Sequence, residues 1–193
     1  MVAKDPGLQM INLKKFIPGI RFDLKYATTE NFMGKKLYPP VQTTYLRKEA
    51  AEALRAVQQE LHAKGLSLKI FDAYRPYAAT VKMWELIHDD RYVADPSKGS
   101  GHNRGISVDV TLVDGLTGRE LNMGTGFDHF SDTAHHSFKA LADQVITNRS
   151  LLRVIMEKHG FRPLETEWWH YSFISSKSFD VMDFSFKELK RWD

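Results

Sequence analysis

Cysteine is absent from the 193 residues of this chain. The protein therefore has no disulfide bond and no thiolate, so histidine, aspartate or glutamate must bind any metal ion. Long apolar runs are absent as well, since no stretch approaches the roughly 20 apolar residues of a membrane-spanning helix. We expect no membrane span.

A surplus of charge of one sign is also missing. The chain has 27 lysine and arginine residues against 24 aspartate and glutamate residues, which gives a net charge of +3. Because so small a surplus forms no basic tract, we expect no nucleic-acid partner. Residues 1–6 hold no apolar stretch of the kind found in secretory signals, and the expected localisation is cytoplasmic or periplasmic.

The rest of the composition is that of an ordinary globular protein. Hydrophobic residues make up 42% of the chain and charged residues 26%. A chain of this size buries roughly 70% of its extended surface on folding, which is enough for a core that needs no disulfide bonds or structural metal ions. We expect one domain that covers residues 1–193.

Hydrophobic periodicity predicts a mixture of helices and strands. The predicted helices cover 43–64, which Thr43 or Thr44 would cap, a second segment near 77–88, and a third around 151–156 that ends at Gly160. The predicted strands cover 20–24, 66–74 and 168–174, with a hairpin formed by 106–112 and 120–123. Because strands and helices do not alternate steadily, the pattern favours an α+β fold over a parallel sheet.

Two segments place metal-binding side chains where a charge is costly without a partner. His102 lies in a glycine-bounded loop, and Asp109 follows on the polar face of a predicted strand, between two core-like valines. Further along the chain, Glu167 and His170 lie in an aromatic run. Two histidines and one aspartate are the three protein ligands of a catalytic zinc site, and Glu167 remains as a candidate general base.

This grouping has alternatives. A single histidine near a strand is more often a hydrogen-bonded structural residue, and His135 with His136 is a rival source of ligands. A strictly regular strand also points Glu167 and His170 to opposite faces. The predicted site therefore requires a bend or bulge before His170, or a place for Glu167 in the preceding loop.

Arg75 stands at the end of a predicted strand, where functional side chains often gather. A guanidinium group in that position is a candidate for stabilising a developing oxyanion. The alternative is a surface ion pair with Asp72 or Glu85, since exposed pairs of this kind are common.

Five segments of the chain, in order, resemble one known family. They are residues 25–28 with 31–32, 72–76, 100–112, 123–128 and 167–171. In these segments the chain resembles the VanX-type D-alanyl-D-alanine dipeptidases, zinc metallopeptidases related to bacterial D,D-carboxypeptidases. The family pattern of Ser, one residue, His, six residues and Asp, and then a distant Glu, two residues and His, is matched in full.

The resemblance implies a Hedgehog/D,D-peptidase-like α+β fold, in which a small antiparallel sheet carries the metal and helices pack around it. It also implies one zinc ion per chain, with His102, Asp109 and His170 as its ligands. In this family Glu167 would be the general base, and Arg75 would hold the oxyanion.

The resemblance further implies how a dipeptide is bound. Asp128 and Tyr26 would bind its ammonium group, while Ser100 and Tyr38 would lie near its carboxylate. Without the resemblance, Asp128 is expected to cap its loop or to contact Arg104, and the two tyrosines are expected to pack in the core or in loops.

The implied reaction is hydrolysis of D-alanyl-D-alanine to free D-alanine. The alternatives are a peptidoglycan D,D- or L,D-carboxypeptidase and a non-catalytic binding module stabilised by zinc. Glu167 and Arg75 favour an enzyme, because a structural zinc ion requires neither a base nor an oxyanion partner.

Overall fold

The computed structural model describes residues 9–89 and 91–192, so the segment examined for a secretory signal lies outside the described residues. The strands are β1 (Met10–Asn12), β2 (Arg21–Phe22), β3 (Tyr45–Arg47), β4 (Leu66–Asp72), β5 (Ser107–Asp114), β6 (Phe161–Leu164) and β7 (Glu167–Phe173). The helices are α1 (Leu13–Phe16), α2 (Lys48–His62), α3 (Tyr77–Leu86), α4 (Gly101–Arg104), α5 (Asp143–Lys158) and α6 (Phe186–Lys190).

A five-stranded sheet forms the centre of the fold, with the strand order β2-β4-β5-β7-β6. Every pairing in it is antiparallel except the edge pair β2–β4, which is parallel. Strands β1 and β3 form a separate antiparallel pair. Helices and strands are mixed without steady alternation, which confirms the predicted α+β class.

Helix α2 confirms the predicted apolar stripe but begins later than predicted. Leu54, Val57 and Leu61 are fully buried on one face of the helix. The helix starts at Lys48 because the three residues before it pair with β1 as strand β3. The expected caps Thr43 and Thr44 were therefore wrong, because a distant strand decides where this helix starts.

Strand β5 is buried almost throughout, and the predicted polar face does not exist. Ser107, Asp109 and Thr111 are as buried as the valines between them. The predicted return strand of the hairpin is reduced to a single bridge between Val113 and Glu120. Because β5 lies inside the sheet between β4 and β7, its polar side chains must find partners within the protein.

The C-terminal segment, which shows no period in the sequence, contains the short helix α6. Ser185 caps this helix with Glu188 in a reciprocal capping box, and Phe186 and Leu189 are buried. Within the described part of the chain, one hydrophobic core takes side chains from β1 through to α6. Among the described residues, no helix combines the length and the apolar character needed to cross a membrane.

Candidate metal centre

His102 lies in a one-turn helix, α4, and not in the predicted glycine-bounded loop. Ser100 caps α4, because its hydroxyl accepts a hydrogen bond from the Asn103 backbone N–H at 3.2 Å and Asn103 Oδ1 accepts one from the Ser100 N–H at 3.0 Å. Gly105 ends the helix with a φ of 73°, a conformation that favours glycine. The chain then turns directly into β5, so that His102 lies over the start of this strand.

Three potential metal ligands converge at this point. In the β5–β7 pairing Asp109 lies directly opposite His170, and His170 Nδ1 is 3.0 Å from Asp109 Oδ1. His102 Nε2 is 3.4 Å from Asp109 Oδ2 and 3.2 Å from His170 Nδ1. All three candidate ligand atoms lie within 4.8 Å of one another. The structure thus brings together the three residues that the sequence analysis grouped.

The surroundings of the three residues orient them for a cation. His102 Nδ1 lies 2.7 Å from the Ala73 carbonyl and donates to it, which leaves Nε2 free to face the group. Burial alone would raise the pKa of Asp109, but the hydrogen bonds and charges of His102 and His170 hold it below its usual range. Two imidazole nitrogens and one ionised carboxylate suit zinc, with a fourth position open to water.

Glu167 reaches the same cavity because β7 is irregular. Pro163 of β6 pairs with Tyr171, and the next residue, Leu164, already pairs with Glu167. The register therefore shifts between Glu167 and Tyr171, which is the bulge that the predicted site requires. Only 7% of Glu167 is exposed, and burial together with the negative charge of Asp109 raises its pKa to about 8. A carboxyl group in this state suits proton transfer near neutral pH.

Arg75 is a buried part of the cavity and not a surface residue. Its Nε and Nη2 atoms both lie 2.9 Å from Asp72 Oδ2, and Nη2 is 3.8 Å from Asp109 Oδ2. A bulge between Ile70 and Asp72 sets Asp72 opposite Asp109 in the β4–β5 pairing. The ion pair with Asp72 was one expected alternative, but it lies inside the site, where it holds the guanidinium in place.

A cavity of about 230 Å³ joins these groups. The predicted site residues that line it are Tyr26, Arg75, Ser100, His102, Asp109, Asp128, Glu167 and His170. Its wall also includes Phe32, Arg91 and Tyr92, which sequence reasoning did not assign to the site. Arg91 and Tyr92 come from a loop without periodicity, so no local signal marks them.

Asp128 is held in a strained conformation with one oxygen unused. It has a φ of 57°, and its Oδ1 accepts a hydrogen bond from the Tyr26 hydroxyl at 3.0 Å. Its Oδ2 is buried and has no hydrogen-bond partner among the described residues. Burial and the charge of Asp109 raise the pKa of Asp128 well above its ordinary value. This geometry replaces the alternative contact with Arg104.

Tyr38 differs from its predicted place beside a substrate carboxylate. Its side chain is buried, and its hydroxyl donates to Asp72 Oδ1 at 2.7 Å. The Tyr38 hydroxyl group is thus already bonded to Asp72, the residue that holds Arg75. Tyr38 does not line the cavity. Sequence reasoning did not assign Asn103 to the site. This residue is fully buried and its side chain donates to the Arg75 carbonyl at 2.9 Å, which ties α4 to the segment that carries Arg75.

The rival pair of histidines lies outside this group. His135 Nε2 is 3.9 Å from Asp132 Oδ1, and His136 lines a different cavity. The pair therefore contributes no ligand atom to the cluster formed by His102, Asp109 and His170.

Comparisons with known proteins identify the relatives of this chain. The model of the peptidase M15 family, described as D-ala-D-ala dipeptidase, matches residues 7–188. The chain is 34% identical over 174 residues to a D-alanyl-D-alanine dipeptidase of Escherichia coli (strain K12), which covers 90% of this chain and 89% of the relative. It is also 34% identical over 181 residues to a D-alanyl-D-alanine dipeptidase of Enterococcus faecalis (strain ATCC 700802 / V583), covering 84% of this chain and 90% of the relative.

Among solved structures, the LdcB LD-carboxypeptidase is similar with a TM-score of 0.45 and 24% identity. The match covers 71% of this chain and 63% of that chain.

Proposed function

This chain belongs to the peptidase M15 family of D-alanyl-D-alanine dipeptidases, and from that premise we propose that it hydrolyses D-alanyl-D-alanine to free D-alanine. One zinc ion per chain would be held by His102, Asp109 and His170. The observation that carries the proposal is the convergence of these three residues with Glu167 and Arg75 in one cavity of about 230 Å³.

Zinc in such a site supplies Lewis-acid chemistry, since it lowers the pKa of coordinated water to about 7 and polarises a carbonyl group. The chain's own contribution begins with orientation. The Ala73 carbonyl fixes the His102 ring at 2.7 Å, and strand pairing sets Asp109 against His170. The ligand atoms are therefore arranged before any ion binds, which reduces the cost of binding it.

Glu167 is the general base in this proposal. Its carboxylate accepts a proton from the attacking water and later delivers that proton to the leaving amine. Burial holds the pKa of Glu167 far closer to neutrality than that of an exposed glutamate. Positioned proton transfer of this kind contributes about 10²–10⁴-fold to rates.

Arg75 stabilises the oxyanion that develops on the scissile carbonyl. Its hydrogen bond and ion pair with Asp72 leave the guanidinium little freedom, and its Cζ lies 4.8 Å from the centre of the Tyr26 ring. A donor held in place before the reaction stabilises a developing charge without reorganisation.

Asp128 and Tyr26 select a free ammonium group. The unused Oδ2 of Asp128 offers a buried acceptor, and the Tyr26 hydroxyl fixes the other oxygen of the same carboxylate. A peptide that continues beyond this point brings no ammonium group and leaves the buried carboxylate unpaired. Ser100 lines the cavity at α4 and is the candidate contact for the substrate carboxylate.

The direct test is release of D-alanine by the zinc-loaded protein. D-alanyl-D-alanine is compared with L-alanyl-L-alanine and with a peptidoglycan pentapeptide, each with and without a chelator. The proposal expects turnover of the D,D-dipeptide alone and its loss with the chelator. Turnover of the pentapeptide alone would identify a carboxypeptidase, and silence on all three substrates with zinc bound would contradict an enzymatic role.

A further inference from the structure

A second cavity of about 180 Å³ lies between α5 and the segment 136–141 that precedes it. It shares no residue with the cavity of the metal centre. Its wall consists of His136, Phe138, Lys139, Leu141, Ile146, Arg149, Ser150 and Arg153. Two arginines, one lysine and one histidine thus line it without a single carboxylate.

Arg149 carries a buried charge that no carboxylate of the described residues neutralises, although its Cζ lies 5.9 Å from the centre of the Trp168 ring. Its side chain is 5% exposed, its Nε donates to the Met123 carbonyl at 2.7 Å, and its Nη1 donates to the His135 carbonyl at 3.3 Å. Its Nη2 is buried and has no hydrogen-bond partner in the described part of the chain. A buried cation without a carboxylate is costly unless something else supplies the negative charge.

Further buried polar atoms without a partner among the described residues belong to His136, which lines the same cavity, and to Tyr171, whose ring contacts that of His136. The atoms are His136 Nε2 and the Tyr171 hydroxyl, and the centres of these two rings lie 6.1 Å apart. Burial, together with the positive charges of Arg153 and Arg149, lowers the pKa of His136 to about 4, so the ring is neutral at pH 7. The ring nitrogen that carries the proton is then a neutral donor.

Arg153 differs from the other cations of this wall. It forms ion pairs with Glu157 at 3.0 Å and with Glu165 at 2.9 Å, so its charge is already balanced. Lys139 forms no ion pair within residues 9–89 and 91–192. The charge that the cavity offers to a ligand therefore comes from Arg149 and Lys139.

These groups are suited to a ligand that only accepts hydrogen bonds. Guanidinium and ammonium groups donate and never accept, and a volume of about 180 Å³ exceeds the about 15 Å³ that one water requires. We propose that the second cavity binds a small tetrahedral oxyanion of the phosphate or sulfate type. Arg149 and Lys139 supply the charge, and His136 and Ser150 supply neutral donors.

The bound ion would act on a part of the metal centre. The Met123 and His135 carbonyls that Arg149 holds are the two ends of the segment that carries Asp128. An ion bound to the unpartnered Nη2 would fix the Arg149 side chain, which holds both ends of segment 123–135. The binding itself is independent of the proposed dipeptidase activity.

Calorimetric titration of the metal-loaded protein with sodium phosphate tests the site, with ionic strength held constant by sodium chloride. We expect saturable binding at one site and binding about fivefold weaker in Lys139→Gln, which removes one charged donor. Lys64→Gln removes the same charge from an exposed position at the end of α2 and is expected to leave the affinity unchanged. Arg149→Lys keeps the charge but loses the planar fork, so its affinity is expected to fall about tenfold.

Two outcomes would overturn the proposal. Equal phosphate affinity in the Lys139→Gln and Lys64→Gln proteins would place the ion elsewhere, for example at the metal centre. Absence of saturable binding to the unmodified protein would mean that the cavity holds water only. Lys139 is exposed, so its replacement is expected to leave folding intact even where a change at Arg149 impairs it.

Discussion

The cavity of the metal centre and the second cavity bury opposite kinds of charge. In the first, four carboxylates lie in or next to the cavity, and Arg75 supplies its buried guanidinium group, while that of Arg91 is exposed. These carboxylates belong to Asp72, Asp109, Asp128 and Glu167. In the second, Arg149 and Lys139 both line a wall that contains no carboxylate. The first site has an excess of acceptors, and the second has an excess of donors, of which Arg149 is buried and Lys139 is exposed.

The sign of the charge in each cavity indicates the charge of the ligand that it would bind. A buried charge is tolerated where a partner of opposite sign sits against it. Asp72 has such a partner in Arg75, while Asp109 and its two histidines require a cation to complete them. By the same reasoning, we proposed an anion as the partner of Arg149. The two cavities therefore call for ligands of opposite sign within one small domain.

The largest effect is expected from removing one ligand of the first cavity. His170→Ala leaves only two of the three metal ligands, Asp109 and His102. Zinc affinity is therefore expected to fall at least about 100-fold and activity to disappear. Metal analysis after dialysis and D-alanine release measure both. His88→Ala, at an exposed position, is the matched control. Phosphate binding at the second cavity is expected to survive His170→Ala, and its loss would show that the two sites are not separate.

The second-largest effect is expected from Glu167→Gln. The amide keeps the shape of the side chain but accepts no proton, so kcat is expected to fall about 10³-fold while zinc content stays at one per chain. Steady-state kinetics with parallel metal analysis measure this. Activity within tenfold of the unmodified enzyme would refute the role of Glu167 as the general base.

A smaller effect than these losses of activity is expected from pH on the free energy of unfolding. The pKa of Glu167 rises from an ordinary value of 4.5 to about 8 on folding, so the folded state holds a proton that the unfolded state has lost between these values. Stability is therefore full below pH 4.5 and declines as the pH rises towards 8, by about 3 kcal/mol between pH 5 and pH 7. Denaturant unfolding of the chelator-treated protein measures it. Glu167→Gln should reduce this slope by the contribution of one proton, because Asp128 and Asp72, whose pKa values burial also raises, keep theirs. An unchanged slope would assign all of it to other groups.

The smallest effect is expected from Tyr38→Phe. This change deletes the 2.7 Å hydrogen bond to Asp72 and leaves the ring in place, which costs about 1 kcal/mol. Because Asp72 holds Arg75, kcat is expected to fall about fivefold with KM nearly constant. A rise in KM with an unchanged kcat would instead favour the original hypothesis that Tyr38 contacts the substrate.

Much of the first cavity was predictable from the sequence, and almost none of the second. His102, Asp109 and His170 are metal-binding residue types in segments where a charge is costly, and the structure brings them together. Arg149 carries no such signal, because an arginine in a helix usually faces solvent. Its inward direction is visible only in the structure, where it donates hydrogen bonds to the carbonyls of Met123 and His135.

The sequence by itself determined the α+β class, the apolar stripe of α2 and the residue types of the metal centre, because periodicity and side-chain chemistry are local properties. The tertiary structure alone decided that α2 starts at Lys48, that Asp109 is buried, and that bulges set Asp72 and Glu167 against the site. Strand register and burial depend on segments far apart in the chain. Their energies arise only when those segments pack, so no local pattern contains them.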